Sequence, residues 1–174
     1  YINNFKRETD VMESIEELVK DLANPDGIVR QKARYTLVKM GDPVLDHLIE
    51  LQGSVKHLAR WEAVKAISEI GSRHSIPLLI KALDDDEFDV RWLAAEGLIE
   101  IGYSSVYPLL KSFISNKDSI HMKEGVHHVL KGLEIRGLYE DKYGIIQALE
   151  SFTAPIKLQL KVINLLKDEL VGEK

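Results

Sequence analysis

The residues with the most capacity for chemistry are His127 and His128, which sit side by side with Glu124 shortly before them. Neighbours on a helix diverge by about 100°, whereas a helical histidine pair that holds a metal is spaced i, i+4. The residues four before them are Lys123 and Glu124, so neither histidine has a histidine partner there. Glu124 shares their side of the helix, and the trio reads more readily as a solvated face than as a metal centre. The run "DDDEFD" from Asp84 to Asp89 is dense in carboxylates, but it lacks the glycine and the terminal bidentate glutamate of a calcium loop. The chain has no cysteine, and no phosphate loop, dinucleotide fingerprint or Ser-His-Asp arrangement is found. No catalytic residue, metal or cofactor is therefore assigned. One pair remains conspicuous. "RWEAVKAISEIG" from Arg60 and "RWLAAEGLIEIG" from Arg91 carry the only two tryptophans at the same place in two copies of one pattern.

The elements that position them repeat. Gly41, Gly71 and Gly102 recur every 30 to 31 residues. Set in register, they align Val29 with Ala59 and Val90, Ala33 with Ala63 and Ala94, Leu37 with Ile67 and Leu98, and Met40 with Ile70 and Ile101. Steps of four, four and three trace one stripe along an α-helix. The closing glycine suits a C-cap in the left-handed region. A fourth copy fits as Met122, Val126, Leu130 and Leu133, running on toward Gly137. A shorter apolar segment precedes each of these helices, three of them with an early proline, Pro43, Pro77 and Pro108. Asp42, Ser75 and Ser104 or Ser105 are candidate N-caps. A fifth pair is expected from Tyr143 to about Phe152 and from about Pro155 to Val171. No alternating strand pattern of useful length appears. One helix pair cannot bury its own stripe, so neighbours must stack.

Composition agrees with such a stack. The chain has 174 residues and 45% apolar side chains, which supports a buried core. Its 23 basic and 28 acidic residues leave a net charge of −5, which argues against a dedicated nucleic-acid binder. No apolar run approaches the ~18–20 residues of a membrane span. A cysteine-free chain of this kind is compatible with the cytoplasm, where we expect it.

The units "NPDGIVRQKARYTLVKMG", "LARWEAVKAISEIG" and "DDDEFDVRWLAAEGLIEIG" resemble HEAT repeats, in particular the short HEAT-like variety of phycobilisome-lyase relatives. The resemblance is strong from about Leu18 to Phe113. The second repeat departs from the pattern, since "GSVKHLAR" lacks the acidic turn, and the fourth has Lys123 in the arginine slot. The resemblance implies an all-α, right-handed α-solenoid with the second helices lining a concave face. We expect a single domain over 1–174, with about five antiparallel pairs near 10–41, 42–71, 72–102, 103–137 and 138–174. Arg30, Arg60 and Arg91 share one slot and are read as structural, together with Gly41, Gly71 and Gly102. Asp26 and Glu87 stand four residues before two of these arginines, a favourable helical pairing. The family implies a bridge from this arginine to the acidic turn of an adjacent repeat, for which Asp85, Asp86 and Asp89 are available.

Trp61 and Trp92 lie two residues after the first stripe position, about 200° around the helix, and so point away from the stripe. That outer side holds Gln31, Arg34, Tyr35 and Val38, then Trp61, Val64, Lys65 and Ser68, then Trp92, Ala95, Glu96 and Ile99, then Glu124, His127, His128 and Lys131. With helices ~8–10 Å apart, Tyr35, Trp61 and Trp92 could form one aromatic track. Two coverings are open: the neighbouring repeat with the arginine stems, or a partner. The leading expectation is a non-catalytic module that binds a protein or peptide through Arg34, Tyr35, Trp61, Val64, Lys65, Trp92, Glu96, Ile99, Glu124, His127 and His128. Two alternatives come from resemblance: a phycobilin lyase-like chromophore-handling protein, or a nucleic-acid-binding protein similar to the HEAT-like alkylpurine glycosylases.

Overall fold

The computed structural model describes residues 15–116, 119–150 and 155–172. These form helices and turns, with no strand among the described residues. A helical segment over 15–21, α1, leads into α2 (Gly27–Met40). The order continues α3 (Leu45–Gln52), α4 (His57–Ile70), α5 (Ile76–Ala82), α6 (Phe88–Ile101), α7 (Val106–Ser115), α8 (Ile120–Ile135), α9 (Ile145–Glu150) and α10 (Pro155–Gly172). No described helix is long and apolar enough to cross a membrane. The start of the first pair near residue 10 and the end of α9 near Phe152 fall outside the described residues.

The apolar stripe explains the stacking. Ala33, Leu37, Ala63, Ile67, Ala94, Leu98, Val126, Leu130 and Leu133 are all buried, in the periodicity the sequence carries. The even helices form one row, α2 on α4, α4 on α6 and α6 on α8. Close approach within this row rests on small side chains. A Cβ added to Gly97 of α6 would lie 2.7 Å from Ser68 Oγ and 3.0 Å from Leu79 Cδ1, and one on Gly132 of α8 would run into Ile99 Cδ1. Glycine inside a helix costs about 0.5–1 kcal/mol relative to alanine, and here the packing requires it.

The turns differ in two respects from the sequence reading. All three closing glycines have positive φ, but only Gly71 is left-handed α (φ 62, ψ 20). Gly41 (φ 72, ψ −144) and Gly102 (φ 86, ψ −154) lie close to a region that is essentially glycine-only. The expected side-chain N-caps on the odd helices do not form. Short 3-10 turns, Asp42–Val44, Arg73–Ser75 and Gly102–Ser105, lead into α3, α5 and α7 instead. Ser105 Oγ turns back to the carbonyls of Leu98 and Gly102.

The C-terminal pair breaks the stacking order. α9 packs on α8 and so extends the even row, whereas α10 lies against α7 in the odd row. The phenols of Tyr103 and Tyr143 donate to Glu169 and Asp168 of α10 and hold it there. The exchange of places brings Leu149 and Glu150 of α9 beside α8, where they close one end of a pocket.

Candidate functional site

The recurring arginine is tied into its own repeat, with a geometry finer than helical pairing. Its guanidinium bends back to the carbonyls five and six residues earlier in its own repeat. Arg30 Nη1 donates to Asn24 and Pro25, Arg60 Nη1 to Ser54 and Val55, and Arg91 Nη1 to Asp85 and Asp86. These oxygens lie in the turn that follows the preceding odd helix, where they have no helical amide as a partner. The i, i+4 ion pairs with Asp26 and Glu87 do not form, because the carbonyls take the guanidinium. Arg60 also reaches the acidic turn of the next repeat through two bonds to Asp85 (2.8 and 3.0 Å). Burial pushes the Asp85 carboxyl up, but the Arg60 bond and the Glu87 amide outweigh it, and the net shift is downward. The second repeat offers no acid in its turn, so Arg30 pairs instead with Glu62 of α4 at 2.9 Å.

Glu62 was not among the residues singled out from sequence. It is buried, and Arg34 Nη1 also donates to it at 2.5 Å while Arg34 Nε lies 3.3 Å from Glu69. Arg34 is thereby drawn out of the expected binding set into a part-buried ion cluster between repeats, centred on buried Glu62. The signal was present: Arg30 and Glu62 are 32 residues apart, close to the repeat period. The same separation recurs in His57 with Asp89, Asp84 with Asn116 and Glu96 with His128.

The outer side expected to carry the binding residues divides. Val64, Ala95 and Ile99 are buried, which corrects their reading as exposed anchors. A face about 200° from one stripe is still covered when the next helix in the row packs there, as the Gly132–Ile99 approach shows. Trp61 is mostly buried and packs against the core. Lys65 lies 3.5 Å from Glu69 on its own helix. Tyr35 is 62% exposed, with the Lys39 ammonium 4.2 Å from its ring centroid. The continuous track from Tyr35 through Trp61 to Trp92 does not form: among the described residues, ring contacts join Phe88 to Trp92 and Trp92 to His128.

Trp92 alone of the two indoles stays open, at 46% exposure. It lines a pocket of about 790 Å³ between α6, α8 and α9, with Phe88, Ala95, Ile120, Glu124, His127, His128, Leu149 and Glu150 in its walls. The Trp92 and His128 rings lie 4.6 Å apart and Phe88 6.1 Å from Trp92. Phe88 and Ile120 are 66% and 72% exposed at the mouth. His128 Nε2 lies 2.8 Å from Glu96 Oε1, within hydrogen-bond distance, and His127 Nε2 is 3.3 Å from Glu150 Oε1. Sequence reasoning placed Trp92, Glu124, His127 and His128 together. It missed Phe88, which stands out as the one aromatic residue inside the acidic turn, and Leu149, which only the exchanged last pair could reveal. Among the described residues, the group close enough for a metal ion is a different one, His57, Glu87 and Asp89, with ligand atoms within 4.8 Å of one another and all three residues exposed.

Stacked antiparallel helices with inter-repeat ladders define an α-solenoid. Residues 53–130 match the family model described as HEAT repeats. The fold is similar to a chain in the structure of the complex of CpcE and CpcF of phycocyanin lyase from Nostoc sp. PCC7120. That match has 19% identity and a TM-score of 0.57, covering 87% of this chain and 97% of that one. An engineered protein matches with 17% identity and a TM-score of 0.38, covering 85% of this chain and 76% of that one. No curated protein matches the chain in sequence.

Proposed function

We propose that this protein is a non-catalytic peptide- or protein-binding module that uses the pocket on its even-helix face. The observation that carries the reading is Trp92, left about half exposed in a cavity of about 790 Å³ whose walls are largely apolar. That volume lies within the range of ordinary ligand pockets, and half-exposed tryptophan is a common anchor of binding hot spots. Of the residues expected from sequence, Trp92, Glu96, Glu124, His127 and His128 belong to this reading, with Phe88, Ile120 and Leu149 added. The test is a peptide-display selection on the full chain, repeated with Trp92→Ala. Enriched peptides should bind the parent and lose the variant by tenfold or more. Selection that survives Trp92→Ala unchanged would place binding elsewhere and reject the pocket.

A chromophore-handling role is the second reading. It is supported by the fold likeness to the phycocyanin lyase complex together with a pocket of about 790 Å³ lined by Phe88 and Trp92. Mixing the protein with phycocyanobilin and following visible absorbance tests it, and an unchanged spectrum rejects it. Nothing favours the nucleic-acid reading, since Arg30, Arg34 and Arg60 are held by carboxylates rather than offered to phosphates.

A further inference from the structure

The carboxylates around the pocket are unevenly partnered. Glu96 has a hydrogen-bond partner in His128, and Glu150 one in His127. Arg91 donates to two turn carbonyls, with its guanidinium carbon 5.8 Å from the Phe88 ring centroid. Lys123 has an interaction of its own. Glu124 differs. It is exposed, lines the cavity, and its carboxylate has no hydrogen-bond or ion-pair partner among the described residues.

An uncompensated carboxylate beside apolar walls selects the sign of what binds. An anionic ligand would bring a like charge next to Glu124, at the cost of repulsion and desolvation. A wholly apolar ligand would cover Glu124 without giving it a partner. A guanidinium or ammonium satisfies the carboxylate by a charge-assisted hydrogen bond, and its alkyl stem lies on apolar surface. The open indole of Trp92 adds a favourable cation–π face, and tryptophan is the best residue for that role. Phe88 and Ile120 at the mouth leave room for an apolar side chain next to the basic one.

We infer that the pocket recognises a peptide segment presenting an arginine or lysine beside an apolar residue, with Glu124 as the counter-ion and Trp92 as the platform. The inference rests on the peptide-binding reading above and names its partner chemistry. The test uses a random 12-residue peptide display library against the full 174-residue chain, followed by fluorescence titration of the best synthetic peptide. The selected peptides should share an Arg or Lys adjacent to Leu, Ile, Phe or Trp. Their affinity should fall at least tenfold with Glu124→Gln and weaken as salt rises. Circular dichroism of Glu124→Gln should match the parent, as expected of an exposed side chain. Selected peptides that lack a basic residue, yet still require Trp92, would overturn the cation inference and leave the binding reading standing. Basic peptides whose affinity is unchanged by Glu124→Gln would also overturn it. A selection that enriches nothing would overturn both.

Discussion

The two tryptophans occupy equivalent places in the sequence, yet the structure buries them to different degrees, and single substitutions can separate them. Trp61 packs against the core, whereas Trp92 keeps 46% of its surface in solvent. An indole buries ~150–250 Å² when covered, so at ~25 cal/mol per Å² Trp61 represents ~4–5 kcal/mol of transfer free energy and Trp92 ~2–3 kcal/mol. The unfolded chain already hides part of this surface, which brings the expected losses to ~3–4 kcal/mol for Trp61→Ala and ~1–2 kcal/mol for Trp92→Ala. In a chain of this size the drop in Tm should be about 10 °C against about 4 °C. Urea denaturation followed by far-UV circular dichroism reads the difference directly. Acrylamide quenching adds a second measure: the indole left in Trp61→Phe should be markedly more accessible than the one left in Trp92→Phe. Equal losses, or a larger loss for Trp92→Ala, would refute the division into one packed indole and one open indole.

Glu62→Ala should cost about 3 kcal/mol in urea denaturation, because it leaves Arg30 and Arg34 facing each other without their shared carboxylate. The exposed Glu124→Ala, as control, should change stability by less than about 0.5 kcal/mol. Gly132→Val should destabilise by about 1–3 kcal/mol through collision with Ile99, and trimming Ile99 to Ala in the same chain should recover part of the loss if that contact is the cause. Tyr103 is pushed up to about 12 by burial first and by its bond to Glu169 second. A raised native pKa means that this stability is complete below the unfolded value near 10 and is lost as pH rises toward 12. Thermal melts between pH 9 and 12 should therefore fall, and Tyr103→Phe should flatten that fall.

How much was legible follows from what repeats. The 3.6-residue stripe and the periodic glycine are local features written three times over, and they fix helices, pairing and core before any packing is known. The arginine slot was legible for the same reason, since a residue that recurs with the period serves the repeat. Its partners were less so. The carbonyls it caps carry no residue identity, and Glu62 replaces an acidic turn that the second repeat lacks. Helical phase placed Trp61, Val64, Trp92, Ala95 and Ile99 on one outer side, which is correct as an angle on an isolated helix. Whether that side meets water depends on where the next helix lies, and in a row each helix is covered on two flanks. Val64 and Ile99 are buried for that reason.

The sequence by itself determined an all-helical stack, its period, its core and its structural arginines, because each depends on contacts that recur at a fixed spacing along the chain. Only the tertiary structure decided which outward residues stay open. The last pair exchanges its layers, so α9 ends the even row and sets Leu149 and Glu150 opposite Trp92 and Phe88. That departure from the period is a non-local packing choice, and it makes the tryptophan of "RWLAAEGLIEIG" part of a pocket while the tryptophan of "RWEAVKAISEIG" remains part of the scaffold.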